Sequence, residues 1–250
     1  MISDRYLRQR ILPEIGEEGQ QRLAQARVLI AGCGALGTNL ADLIARAGVG
    51  RITVVDPDSV ELSNLQRQAL MREADLGRPK AQVVAEALAA INSGSEVNYE
   101  ITRIEPHNVE RLIEGCHLVL DGFDNLGARY LLNDACVKHH IPWIFATVAA
   151  TYGMTMTILP REGPCLRCLL PNPVPDEIVL TARNAGIINT IPRAIASIET
   201  TQALKILLGL PESPVKLITY DTWRNTFSAQ EIHRATHCPC CSEGRYEFLG

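Results

Sequence analysis

A glycine triplet constrains the fold of this chain more than any other feature. Gly32-Cys33-Gly34-Ala35-Leu36-Gly37 matches the pattern G-x-G-x-x-G. A β-rich run at 28–31 precedes it, and residues 36–47 follow with apolar side chains at helical spacing as far as Gly48. In a strand–turn–helix the three glycines permit a tight turn, backbone approach to a phosphate, and close helix–strand packing. The helix N-terminus adds free N–H groups and partial positive charge. Asp56 lies nineteen residues beyond Gly37 and closes the next strand at 52–55, where a carboxylate accepts ribose hydroxyls. The motif alone leaves NAD and ATP open.

The rest of the first half continues the alternation. Helices are predicted over 80–91, stopped by Asn92-Ser93-Gly94, and over 125–138, with strands at 97–104, 118–120 and 141–148. This βαβα progression predicts an α/β fold, Rossmann-like, with a mostly parallel central sheet. Residues 152–159 alternate as an antiparallel extension, placing Met154, Met156 and Ile158 on one face; core packing and a docking surface compete for those methionines. Weak periodicity from Pro171 through Pro175 to Pro192 predicts a long loop, of the kind that carries function. A helix over 195–208 ends at Gly209, and short strands at 216–220 and 226–232 follow. With no repeat, low-complexity tract or linker, residues 1–250 are expected to form a single domain.

Composition narrows the function classes. The 28 acidic residues against 24 Lys+Arg give a net charge of −4, and 46% of residues are hydrophobic. Such a chain is not intrinsically disordered, and the slightly acidic balance without a basic run disfavours nucleic acid as partner. No stretch reaches the ~18–20 apolar residues of a membrane span. The charged start Met1-Ile2-Ser3-Asp4-Arg5 lacks a signal core, so a cytoplasmic location is expected. Four of the eight cysteines form the pairs Cys165/Cys168 and Cys238/Cys241, some seventy residues apart. In a reducing compartment such doublets mark a metal site, with disulfides or bare thiols as the alternative. Cys33, Cys116 and Cys136 are expected to be inert buried thiols, and Cys240 lies inside the second pair.

The polar segment from Asp58 to Gln68 (Asp-Ser-Val-Glu-Leu-Ser-Asn-Leu-Gln-Arg-Gln) favours a triphosphate over a nicotinamide cofactor. Departing pyrophosphate needs cations and hydrogen-bond donors, and Lys80 offers a further charge. Asp121-Gly122-Phe123-Asp124-Asn125 closes the fourth strand at the same carboxyl edge. A carboxylate there suits Mg²⁺, which takes one or two carboxylates plus phosphate oxygens; capping of the next helix by Asp124 or Asn125 is the competing role.

Taken in order, Arg5-Tyr6-Leu7-Arg8-Gln9, the glycine loop, Ser63-Asn64-Leu65-Gln66-Arg67-Gln68, Arg78-Pro79-Lys80, Asp121–Asn125 and the two cysteine pairs resemble the MoeB/ThiF/HesA family, bacterial relatives of ubiquitin-activating enzymes. The resemblance runs over nearly the whole chain. It implies an enzyme that uses Mg-ATP to adenylate the C-terminal Gly-Gly carboxylate of a small ubiquitin-like sulfur carrier, releasing pyrophosphate, in thiamine or molybdopterin synthesis. By the resemblance, Gly32, Gly34 and Gly37 cradle the nucleotide, Asp56 holds the ribose, and Asn64, Arg67 and Lys80 hold the phosphates. Asp124 binds Mg²⁺, and Arg8 reaches the ATP of a neighbouring subunit, which implies a homodimer. Residues 1–150 form the nucleotide-binding half and 151–250 the carrier-binding, zinc-tied half. Cys165, Cys168, Cys238 and Cys241 make a closed, structural Zn²⁺ site.

Two departures stand out. Several family members carry a cysteine in the long loop, whereas Ala182 stands at that place and no cysteine lies between Cys168 and Cys238. A covalent link through that loop is therefore not expected, and sulfur is expected from a separate sulfurtransferase. Phe123 replaces the small polar residue frequent between the two aspartates. The competing functions are a nicotinamide-dependent oxidoreductase, which leaves Asn64, Arg67, Lys80 and Asp124 without a task, a non-catalytic relative, and adenylation of a peptide C-terminus or tRNA nucleoside.

Overall fold

The computed structural model describes residues 4–174 and 180–250. Met1 to Ser3, part of the charged start, and residues 175–179 of the proline-bracketed loop lie outside the described residues. The strands are β1 Arg27–Ala31, β2 Arg51–Val55, β3 Glu96–Glu100, β4 Leu118–Asp121, β5 Trp143–Ala149, β6 Tyr152–Ile158, β7 Lys216–Asp221 and β8 Thr226–Glu231. The helices are α1 Leu7–Arg10, α2 Gly16–Gln25, α3 Ala35–Ala47, α4 Lys80–Ile91, α5 Val109–Ile113, α6 Leu126–Lys138, α7 Leu166–Leu169, α8 Ala182–Ala185 and α9 Thr190–Leu207. One sheet joins the strands in the order β3-β2-β1-β4-β5-β6-β7-β8. Pairing is parallel from β3 to β5 and antiparallel from β5 to β8, as the alternation predicts.

Period-two alternation in apolar strands builds a core on both faces. Val28 and Ile30 of β1 enter the layer of α3, α4 and α9, while Leu29 and Ala31 enter that of α5 and α6. Parallel strands covered on both sides require such uninterrupted apolar runs. Each fully buried Leu or Ile contributes about 1.5–3 kcal/mol. The strand order reverses between β1 and β4, and the crevice at the carboxyl ends of such a pair is where open α/β sheets take ligands.

Two expectations need correction. The strand predicted over 97–104 ends at Glu100: β2, its sole sheet neighbour among the described residues, stops at Val55, and the Asp56 N–H donates a last bond to Glu100 O at 3.2 Å. Beyond it Ile101 is exposed and Ile104 turns into the second core. The loop predicted to Pro192 ends earlier, because α9 begins at Thr190 and Pro192 occupies its first turn, where a missing N–H costs no intrahelical bond. Met156 is 1% exposed and Met154 packs half-buried against the same core, so of the two roles weighed for the methionines the favoured one, core packing, is the one observed.

Candidate functional site

The glycine loop is folded against both neighbouring strand ends. Gly32 N–H donates to Val55 O at 2.8 Å and Gly122 N–H to Ala31 O at 2.8 Å. Gly32 has φ +102°, and a Cβ there would meet Gly122 O at 2.6 Å. A Cβ on Gly37 would run into Gly32 O. Gly34 differs: a Cβ would make only an ordinary 3.5 Å contact, so nothing in the chain itself demands glycine there. Gly34 precedes α3 and no side chain caps that helix, so its first N–H groups face the crevice unclaimed by a cap. An open cradle with free donors fits a phosphate.

Asp56, 6% exposed, flanks the loop. Its Oδ2 accepts from Cys33 N–H at 2.7 Å and its Oδ1 from Asp58 N–H at 2.8 Å, which orders the glycine turn and leaves carboxylate lone pairs over. Burial pushes its pKa above the usual carboxylate value, against the two backbone hydrogen bonds and the charge of Lys80. Lys80 is itself 7% exposed, at the first position of α4, with Nζ 3.0 Å from Asp58 Oδ2. Gly32, Gly34, Gly37, Asp56 and Lys80 thus converge on one crevice.

The turn after β4 completes its far wall. Asn125 caps α6, its Oδ1 accepting from Ala128 N–H at 2.8 Å, a cap worth about 1 kcal/mol. Capping therefore does not consume Asp124, which is exposed, forms no ion pair among the described residues, and touches Asn125 Nδ2 at 3.4 Å. An exposed carboxylate without an ion pair, two residues beyond the Gly32–Gly122 contact, fits the single-carboxylate style of Mg²⁺ binding.

Asn64 and Arg67 are less engaged. Asn64 is buried and caps its own 3₁₀ turn, accepting Glu61 N–H at 3.2 Å, while Arg67 Nη1 donates to Ser63 O at 2.8 Å. Neither bonds to the glycine loop, Asp56 or Lys80 among the described residues. Gln66 reaches further, donating to Ile187 O at 3.2 Å, and the 186–188 segment is held to Ala150 by bonds of 2.8 and 3.0 Å. These contacts carry the chain across the carboxyl edge.

Arg8 lies elsewhere. Around α1, Arg5 Nη1 donates to Ile91 O (2.7 Å), Asn92 Nδ2 to the Tyr6 hydroxyl (2.7 Å), and Gln9 Nε2 to Ala47 O (2.8 Å). These anchors sit at the C-terminal ends of α3 and α4, one length of the 13-residue α3, about 20 Å, from Gly34. An exposed Arg8 cannot join the crevice of its own chain.

The cysteine pairs do meet. Sγ atoms of Cys165, Cys168, Cys238 and Cys241 all lie within 4.8 Å of one another. Four soft donors at that spacing suit a tetrahedral Zn²⁺ with Zn–S near 2.3 Å. Hydrogen bonds from Cys165 and then Cys168 pull the Cys241 thiol below its ordinary pKa, while Cys165 and Cys168 are pushed up, so these thiols share their protons as one group. Cys240 stands outside the quartet, accepting from Asn133 Nδ2 at 3.2 Å. Cys33 and Cys136 are buried, and burial pushes both thiols up; Cys116 is half-buried and pushed up to about 11 by burial.

Sequence reasoning missed Arg129 and Tyr130. Arg129 is 2% exposed and pairs with Asp121 at 2.7 Å; the Tyr130 hydroxyl is within reach of Leu170 O and Asn172 O at 3.2 and 3.0 Å. The available signal was a lone arginine inside an apolar helical stretch, eight residues after an aspartate.

No helix among the described residues is long and apolar enough to cross a membrane. Comparison with known proteins gives the family. The ThiF family profile matches residues 6–240. The sulfur carrier protein ThiS adenylyltransferase of Bacillus subtilis is 38% identical over 99% of this chain and 74% of its own length. A sulfur carrier protein adenylyltransferase of Thermus thermophilus is 37% identical over 96% and 91%. The chain spans about half, 53%, of the Xenopus laevis adenylyltransferase and sulfurtransferase MOCS3, at 36% identity. Among solved structures, Escherichia coli MccB with ATP superposes with a TM-score of 0.82 at 22% identity, over 96% of this chain and 74% of that one, a likeness of fold. This chain belongs to the ThiF family.

Proposed function

We propose that the chain is an Mg-ATP-dependent adenylyltransferase. Its substrate is the C-terminal Gly-Gly carboxylate of a small ubiquitin-like sulfur carrier, in thiamine or molybdopterin synthesis in the cytoplasm. One observation carries the reading: an open glycine cradle at an uncapped helix N-terminus, flanked by buried Lys80 and by an exposed Asp124. The names of the B. subtilis and T. thermophilus relatives support the choice of a sulfur carrier.

The division of labour follows from the chemistry. Attack of a carboxylate on the α-phosphorus of ATP, with pyrophosphate leaving, needs positioning and charge stabilisation more than a covalent nucleophile. Gly32, Gly34 and Gly37 leave room for the phosphates, Asp56 takes the ribose hydroxyls, and Asn64, Arg67 and Lys80 donate to the phosphates. Asp124 would hold Mg²⁺, which supplies charge neutralisation when bound. Arg8, remote in its own chain, is assigned to the crevice of a second copy in a homodimer. Residues 1–150 handle the nucleotide and 151–250 the carrier and the structural Zn²⁺ within one domain. With Ala182 opening α8, the reaction stops at the acyl-adenylate, and a separate sulfurtransferase delivers sulfur.

The test is intact-mass analysis of Gly-Gly-ended carriers incubated with the protein and Mg-ATP. One carrier should gain a single AMP, a carrier lacking the last glycine should not, and non-reducing gels should show no carrier–enzyme adduct. Peptides and tRNA run in parallel; AMP transfer to either of them alone refutes the carrier reading.

A further inference from the structure

We propose that Arg129 is a positioning residue for Asp124: its buried guanidinium fixes the turn that presents this carboxylate to the divalent cation of the nucleotide. The proposal rests on the reading of Asp124 as cation ligand and names what holds that ligand in place.

Arg129 lies in the first half of α6 and donates in three directions. Nε meets Asp121 Oδ2 at 2.7 Å, and Nη2 meets Phe123 O at 2.6 Å and Ala146 O at 2.8 Å. The guanidinium carbon stands 5.6 Å from the centroid of the Phe145 ring. One side chain therefore ties together the end of β4, the 122–125 turn and β5. Asp121 closes the same clamp, accepting Phe123 N–H at 2.9 Å and Ala146 N–H at 3.2 Å. Phe123, directly before Asp124, has its N–H held by Asp121 and its C=O held by Arg129. Asn125, directly after, is fixed as the cap of α6. Asp124 is left exposed between two immobilised neighbours, which is how a ligand is held when its own side chain makes no ion pair.

The charge distribution around Arg129 agrees. Glu199 of α9 is fully buried, and burial first, then the charge of Asp121, push its pKa well up, which disfavours a second carboxylate charge beside the guanidinium. Lysine could keep the ion pair to Asp121, but it lacks the planar fork that serves two carbonyls as well. Groups behind a metal ligand set its orientation, and losing one typically weakens metal binding roughly 10–100-fold.

The experiment titrates Mn²⁺, followed by electron paramagnetic resonance, onto the protein carrying α,β-methylene ATP. Wild type, Arg129→Lys, Asp124→Asn and the double variant are compared, with thermal unfolding recorded for each. Arg129→Lys should weaken Mn²⁺ binding roughly 10-fold, while affinity for the nucleotide analogue without divalent cation stays within about twofold. Arg129→Lys should add nothing further in the Asp124→Asn background, since Arg129 acts on the cation only through that carboxylate. Unchanged Mn²⁺ affinity in Arg129→Lys, or independent multiplying effects of the two substitutions, overturns the proposal alone. Unchanged Mn²⁺ affinity in Asp124→Asn overturns the cation-ligand reading and the proposal with it. Should Arg129→Lys fail to fold, Phe145→Leu removes the ring beneath the guanidinium and no hydrogen bond. A smaller weakening of Mn²⁺ binding is then expected, and none overturns the proposal.

Discussion

Gly37→Ala is expected to unfold the nucleotide-binding half, whereas Gly34→Ala should fold normally and lose ATP. A Cβ on Gly37 would collide with Gly32 O, in a turn pinned by the Gly32 N–H bond to Val55 O, so the cost should exceed about 4 kcal/mol. At Gly34 the added methyl meets only Gly122 O at an ordinary 3.5 Å, and stability should change by less than about 1 kcal/mol. The methyl would instead occupy the space through which a phosphate approaches the α3 N–H groups. Losing one or two charge-assisted hydrogen bonds weakens ATP binding by roughly 10–100-fold. Thermal unfolding and calorimetric ATP titration of the two variants separate the effects. A destabilised Gly34→Ala, or one that binds ATP as well as wild type, contradicts the assignment of this loop.

The second large effect concerns the cysteine quartet. Cys165 and Cys238 Sγ lie 3.5 Å apart, as do Cys168 and Cys241 Sγ, so the site joins segments some seventy residues apart in the chain. It is also built into the second core: Asn133 of α6 accepts Leu166 N–H at 2.9 Å, and Phe248 stacks on Tyr130 at 4.9 Å with Arg167 5.5 Å from its ring. Stripping the metal with a chelator, or Cys168→Ser, should cost on the order of 5 kcal/mol and lower Tm by roughly 10–20 °C. Elemental analysis should find one Zn²⁺ per chain. A chain with no bound metal, whose Tm a chelator leaves unmoved, contradicts the assignment of a structural site.

The glycine loop, its strand and its helix were legible because they are local. Alternating apolar residues set the pleat, and Gly48, at φ +88°, stops α3 where the spacing predicts. Lys80–Ile91 was legible for the same reason, an apolar face closed by Asn92. What escaped the sequence depends on tertiary partners. Strand β3 is cut to Glu100 by the length of its neighbour, a fact that no window of residues contains. Helix α1 buries no residue and is held by hydrogen bonds to the ends of distant helices, so it carries no amphipathic signature. Cys165 and Cys168 could be paired with Cys238 and Cys241, in preference to Cys240, from the two-residue spacing alone; what spacing does not contain is the bond from Asn133 that engages Cys240. Arg129 reads as an ordinary helical arginine until Asp121 and Phe123 are brought beside it.

The most direct measurement is ATP–pyrophosphate exchange by the purified protein with Mg²⁺, with and without a panel of Gly-Gly-ended carriers, beside Asp124→Ala. Exchange that depends on one carrier and falls at least about 100-fold in Asp124→Ala, as loss of a charge-stabilising contact predicts, is the expected result. Binding of NAD in place of ATP, or carrier-independent exchange that Asp124→Ala leaves unchanged, would contradict the account.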